Sequence, residues 1–315
     1  MKPLITYEVH GHIAHITLRR PERRNALNAE MSALLHQYWQ RFAAGNERVA
    51  LLSAEGDHFC AGVDVADPSR EAWKGVPNVG VQLDKPLVCA VQGWAVGAGF
   101  TLTMMSDLCV VDETAHFMFP EAKIGLFGGI TAGLVSRIPH KVAVEFLMLG
   151  DPLPAQRAYE VGLVNRVAPK GGAQAAGLDM AQRLADAAPL VLRTIKRATL
   201  ETLPKSPAEL AYPQMGYLTE IAQSEDYKEG VAAFQEKRKA HFKTFPWTGD
   251  GNLGKLLRKS CAKATFGLKL IFTPPLQLRG LTDISELRSM VWSSPLQLSR
   301  SSIRAMSRIP LHELA

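Results

Sequence analysis

Residues 90–107 read AVQGWAVGAGFTLTMMSD, with glycines at 93, 97 and 99 between an apolar run, PLVCAV, and a stretch from Thr101 that reads as the start of a helix. Glycine is a poor helix former and loses more conformational entropy on ordering than any other residue. Two readings of the run are open. The glycines let backbones pack closely, or they leave bare N–H groups aimed at a ligand. The first polar residue of the helix, Thr101, carries no charge.

Working outward, LITYEV and HIAHITL form a β-hairpin about His10-Gly11, and Pro21 opens a loop in RRPERRNALN. From Asn28 the spacing of Met31, Leu34, Leu35 and Trp39 predicts a helix. VALLSAEG is a short buried strand, followed by the loop DHFCAGVDVADPS. DLCVVDE is a strand, 141–149 and 154–160 are helical, and GLVNRVAP is a strand with a turn after it. Residues 177–202 and 207–244 read as mainly helical. Short strands alternating with helices make the fold class α/β.

With 47% hydrophobic and 21% charged residues, the 315-residue chain has the composition of a soluble globular protein. The net charge of +6 suggests nucleic acid until it is located. Residues 249–315 hold ten Lys/Arg against four Asp/Glu, which leaves 26 of each sign in residues 1–248. A neutral body excludes the basic-face argument for DNA or RNA. Cys60, Cys89, Cys109 and Cys261 form neither a CxxC pair nor a metal-ligand pattern, which points to a reducing, cytoplasmic setting. No run reaches about 18 uncharged apolar residues and the N-terminus has no continuous apolar stretch, so neither a membrane span nor a secretory leader is expected. After Trp247 the composition turns to Leu, Ser and Arg without sustained periodicity, and 248–315 is read as a basic, loosely packed or disordered tail.

Chemistry concentrates in three places. FCAGVDV (59–65) and GWAVGAGFTL (93–102) are glycine-bearing loops after strands, able to expose backbone donors. FPEAKIG puts one carboxylate, Glu121, between an apolar run and a glycine turn. Taken singly, each has an ordinary structural reading: close packing for the glycines, a solvated surface residue for Glu121. His116 and His140 lie nearby in sequence and are read as surface or hydrogen-bonded imidazoles.

Taken in order, LRRPERRNALN (18–28), FCAGVDV, AVQGWAVGAGFTLTMMSD, FMFPEAKIGL (117–126), GDPLPAQRAYEVGLVNRV (150–167) and EGVAAFQEKRKAHF (229–242) resemble the motifs of the crotonase superfamily, the enoyl-CoA hydratase/isomerase family. The resemblance covers residues 5–245. It implies a crotonase-like spiral of ββα units with C-terminal trimerisation helices: an acyl-CoA-binding core at 1–190 and a helical oligomerisation region at 191–247, giving a homotrimer or a dimer of trimers. It further implies an acyl-CoA thioester substrate whose carbonyl is held by the backbone N–H groups of Val63 and Ala98, with Ala61, Gly62, Asp64, Gly97 and Gly99 shaping the two loops. Coenzyme A would meet Arg23, Arg24 and Ala26 in the first loop and Phe234 and Lys237 near the C-terminal signature. Coenzyme A enters as part of the substrate, and no metal or other cofactor is implied.

The chain departs from the family's hydratase pattern at one decisive position. Hydratases of the family use two glutamates; the second matches Glu121 and the first falls on Thr101. Threonine has no useful proton affinity at neutral pH, though its hydroxyl can orient a water or bond the helix turn. The loop GLFGGITAG (125–133) also lacks the family's proline and threonine-arginine pair. Asp64, beside the first loop, is a reserve carboxylate, but its position usually serves structure. One carboxylate suffices to move a double bond, so enoyl-CoA isomerisation is the leading expectation. Hydration by Glu121 with a Thr101-oriented water, or a catalytically weak acyl-CoA-binding protein, are the alternatives.

Overall fold

The computed structural model describes residues 3–69 and 71–243; the tail read at 248–315 lies outside the described residues. Its strands are β1 (Ile5–His10), β2 (Ile13–Leu18), β3 (Val49–Ala54), β4 (Leu87–Val91), β5 (Trp94–Val96), β6 (Leu108–Asp112), β7 (His116–Met118), β8 (Leu153–Pro154) and β9 (Arg166–Ala168). Its helices are α1 (Ala29–Ala44), α2 (Ala98–Met104), α3 (Glu121–Ile124), α4 (His140–Leu149), α5 (Ala155–Glu160), α6 (Ala173–Ala185), α7 (Pro189–Thr202), α8 (Pro207–Gln223) and α9 (Glu225–Gln235).

The main sheet runs β1-β2-β3-β4-β6-β9, antiparallel only in the β1–β2 hairpin. Its inner strands are apolar and buried along their length, as parallel strands covered on both faces must be. On one face Met180, Ala181 and Ala185 of α6 pack against Val49, Leu51, Val88, Ala90 and Val110. Beneath the other face lies the larger core, with Trp39, Phe42, Phe59, Phe100 and Phe117 fully buried. Asn28 caps α1 by accepting the Met31 N–H at 2.9 Å.

From the ends of β4 and β6 the chain steps into a smaller sheet, β5-β7-β8. β4, β5 and α2 make one ββα unit; β6, β7 and α3 make the next. After β3 the chain makes the same step through Cys60, which bridges Ala95 in parallel, and Val63, which bridges Leu27. This repeated step is the spiral of ββα units, and it stacks the loops after β3, β4 and β7 on one another.

The helical readings near the C-terminus need refinement. The stretch 177–202 breaks at Asp186–Ala188, because Ala188 precedes Pro189 and takes an extended backbone with ψ 111°. The stretch 207–244 is two helices that end at Gln235. There Lys237 takes a left-handed φ of 53°, and Arg238 folds back onto Glu229 at 2.6 Å. α8 is secured by a Ser206–Glu209 capping box, by Arg137 Nη2 donating to Glu209 Oε2 at 2.9 Å, and by Tyr212 stacked on Trp73.

Candidate active site

The two glycine-bearing loops meet. Cys60 N–H donates to Trp94 O at 3.0 Å and Val96 N–H donates to Cys60 O at 2.9 Å, so the chain at 60 runs alongside β5. Gly62 (φ 102°) and Gly97 (φ 53°) both lie where a side chain is strained. A methyl group on Gly62 would lie 3.3 Å from Val96 O, and one on Gly99 would lie 2.5 Å from Cys60 O. The close-packing reading of the glycines therefore holds, and the close approach brings the two loops together.

Among the described residues, neither the Val63 N–H nor the Ala98 N–H donates a hydrogen bond. Their peptide carbonyls are engaged instead. Gly62 O accepts from Leu27 N–H at 2.8 Å; Gly97 O accepts from Thr101 N–H at 2.9 Å and from Thr101 Oγ1 at 3.0 Å. The two amides candidate for a thioester oxygen are thus uncommitted donors on peptide units whose carbonyls are held.

Glu121 opens α3, and its carboxylate lies against the second loop. A methyl group on Gly97 would come within 2.7 Å of Glu121 Oε1. Glu121 Oε2 is buried and has no partner among the described residues. Burial without a compensating cation raises the carboxyl to about 7, where one group both accepts and returns a proton at neutral pH. Thr101, where the family's other glutamate falls, is 7% exposed, and its hydroxyl proton is committed to Gly97 O.

The first loop has a scaffold that sequence reading missed. Arg20 Nη1 donates to Asp64 Oδ2 at 2.7 Å and to Ala26 O at 3.0 Å, tying the 20–26 loop to the end of 59–65. The Arg20 guanidinium and the Ala66 N–H hold the Asp64 carboxyl below its ordinary range, so Asp64 is an ion-pair partner and not a reserve base. Asn25, fully buried with φ 55°, accepts from Arg20 N–H and donates to Glu55 O and His58 O. Ala61 N–H donates to Arg24 O at 2.9 Å. Arg20, Arg23 and Arg24 look alike in sequence; only burial distinguishes the structural one. The side chains of Arg23 and Arg24 are exposed and form no hydrogen bond or ion pair among the described residues.

Phe234 and Lys237 lie apart from this cluster. Phe234 is 86% exposed, Lys237 is exposed, and α9 packs against α8. His116 is satisfied, its Nδ1 2.9 Å from Thr114 O and its ring stacked on Trp94; His140 starts α4 on the surface. Among the described residues no group of three or more His, Cys, Asp or Glu side chains is gathered to hold a metal ion, and no helix is long and apolar enough to cross a membrane.

The enoyl-CoA hydratase/isomerase family model matches residues 8–245. The chain belongs to this family. Among similar hydratase/isomerase relatives, the enoyl-CoA hydratase EchA19 of Mycobacterium tuberculosis is 34% identical over 253 residues, 75% of this chain and 94% of that protein. The (E)-benzylidenesuccinyl-CoA hydratase of Thauera aromatica is 32% identical over 76% of this chain and 98% of its own length. Among solved structures, a carnitinyl-CoA hydratase from Mycobacterium avium is 32% identical and covers 78% of this chain and 100% of its own, with a TM-score of 0.61. The family and its crotonase fold are those that the six motifs implied. Hydratase and dehydratase names dominate among the relatives, and isomerisation is not singled out among them.

Proposed function

We propose that the chain is an acyl-CoA enzyme that shifts the double bond of an enoyl-CoA thioester, with Glu121 as the single acid/base. The observation carrying this reading is one half-buried carboxylate, its Oε2 buried without a partner, beside two uncommitted N–H donors, with no second carboxylate at position 101. In the proposed reaction Glu121 removes a proton from the α-carbon of a 3-enoyl-CoA. The electron pair delocalises into the carbonyl as a dienolate, whose oxygen is met by the Val63 and Ala98 N–H groups. The same carboxylic acid then delivers its proton to the γ-carbon, leaving the 2-enoyl-CoA and restoring the carboxylate. Fixed amide donors suit this step because they stabilise charge that develops only as the proton leaves.

Arg23, Arg24 and Ala26 are proposed to meet the coenzyme A moiety, with Phe234 and Lys237 as further contacts. Exposed Leu190, Val191, Ile195, Leu218 and Ile221 support the proposal that α7 and α8 carry homotrimer or dimer-of-trimers contacts. Free, buried Cys60, Cys89 and Cys109 support a cytoplasmic setting. No metal or redox cofactor enters the scheme.

The second reading, hydration of a 2-enoyl-CoA by Glu121, is favoured by the hydratase names of the relatives. Purified protein offered 3-enoyl-CoA and 2-enoyl-CoA separates the two. Isomerisation that falls about 10²–10⁴-fold in Glu121→Gln supports the first reading. Hydration without a double-bond shift supports the second, and tight CoA-ester binding without turnover of either overturns both.

A further inference from the structure

A trans peptide unit points its C=O and N–H in opposite directions. Whatever grips the carbonyl of the Gly97–Ala98 unit therefore sets the direction of the Ala98 N–H. Two donors grip it, and both belong to Thr101: the backbone N–H at 2.9 Å and Oγ1 at 3.0 Å. The first comes with any residue in a helical turn. The second depends on the side chain at position 101 and on its being a donor. An ionised glutamate there would be an acceptor and could not make this bond.

We propose that Thr101 is a positioning residue: its buried hydroxyl locks and polarises the Gly97–Ala98 peptide, keeping the Ala98 N–H aimed at the thioester oxygen. The inference rests on the oxyanion-hole reading above and assigns position 101 a task other than proton transfer. In the other arm, the Gly62–Val63 carbonyl is gripped by the Leu27 N–H at 2.8 Å, so each donor peptide is held from behind. Polarisation along such a chain strengthens the outgoing N–H, because hydrogen bonds in series reinforce one another.

Helical threonines often bond the carbonyl four residues back, so the bond alone proves little. The chain supplies its own control. Thr103, also buried, donates to Gly99 O at 3.1 Å, the same bond on a peptide whose N–H belongs to Phe100 and not to the candidate hole. A purely structural role predicts equal behaviour of the two threonines; a positioning role separates them.

The test compares Thr101→Val, Thr101→Ser and Thr103→Val with the parent protein. The readouts are kcat and KM for 3-enoyl-CoA, and the infrared carbonyl stretch of a bound saturated acyl-CoA labelled with ¹³C at the thioester carbon. Thr101→Val is expected to lower kcat about tenfold, less than the 10²–10³ for outright loss of a donor, with KM little changed and the carbonyl downshift reduced. Thr101→Ser restores both, and Thr103→Val moves neither. If Thr101→Val does not fold, Thr101→Ala carries the same comparison. A parent-like kcat and carbonyl frequency in the variant lacking the hydroxyl overturns the Thr101 role alone, as does an equal change in Thr103→Val. Absence of any downshift in the parent overturns the oxyanion hole and this inference with it.

Discussion

At Gly62–Val63 the carbonyl behind the candidate donor is held by a main-chain N–H from Leu27, 35 positions away in sequence from Gly62; at Gly97–Ala98 it is held by Thr101, four positions on. The first arm is secured by tertiary structure. The Leu27–Val63 bridge, the Arg20–Asp64 ion pair and buried Asn25 fasten the loop from several sides. The second is tied to the fold through Val96 N–H to Cys60 O and Gly97 N–H to Met118 O, but the carbonyl behind its donor is gripped from within, by one helical turn and one side chain, and Gly97 adjoins Glu121. Backbone donors therefore differ in how open they are to sequence change. The grip on the carbonyl behind Val63 comes from the main chain of another segment, whereas the grip on the carbonyl behind Ala98 comes from residue 101.

The largest break in this comparison is expected from Gly97→Ala. Its methyl group would sit at a strained φ and within 2.7 Å of Glu121 Oε1, disturbing a donor and the carboxylate together. Isomerase kcat should fall at least about 10²–10³-fold, as for loss of an oxyanion-hole donor. Gly62→Ala is also strained, at a φ of 102°, and its methyl group would lie 3.3 Å from Val96 O and 3.9 Å from Ala98 N, but Glu121 is not among its nearest neighbours, so activity should fall less. Equal losses would show that Glu121 does not depend on the empty space at Gly97.

Next in size is the pH dependence of activity. In the proposed reaction Glu121 works first as a base, so kcat/KM should rise with pH through about 7 and level above it. Below that point it should fall about tenfold per unit, as the protonated fraction takes over. A profile flat from pH 5.5 to 8 would remove Glu121 from the proton transfer.

Arg20→Ala sharpens the contrast from the other arm. It frees Asp64 and Ala26 O, so KM for CoA esters should rise a few-fold with a smaller change in kcat, whereas exposed Arg24→Ala should raise KM without lowering thermal stability.

The smallest effect is on stability. Glu121 has its carboxyl raised from 4.5 to about 7 on folding, so the folded state binds its proton more tightly than the unfolded state. Its ionisation costs stability progressively as pH rises between those values. Glu121→Gln should therefore raise Tm at pH 8 relative to the parent by a few degrees, and by little at pH 4; thermal unfolding at both pH values checks it.

Much of this was legible before any coordinates. Hydrophobic runs and turn residues located the β-hairpin, α1 from its Asn28 cap and the buried strands, because local pattern determines them. The loops at 59–65 and 93–102 and Glu121 emerged as a set once their order was matched to a family. Arg20 and Asn25 did not, since nothing local distinguishes a buried arginine from its exposed neighbours or shows that an asparagine reaches Glu55 and His58. That Asp64 serves structure follows from the resemblance, but its partner, 44 residues away, is not legible locally. The end of α9 is not legible because Arg238 and Lys237 have helix-compatible identities, while the turn shows in the left-handed Lys237 and the Arg238–Glu229 ion pair. Thr101 was conspicuous for the charge it lacks, whereas the bond it makes became visible only with Gly97 O in place.

The most direct measurement follows the proton itself. A 3-enoyl-CoA deuterated at the α-carbon is converted in ordinary water, and the 2-enoyl product is analysed for deuterium at the γ-carbon. With one buried carboxylate carrying the proton between the two carbons, deuterium should appear at the γ-carbon, and turnover should collapse in Glu121→Gln. A product bearing only solvent hydrogen at the γ-carbon, formed equally fast by Glu121→Gln, would contradict a single-carboxylate site.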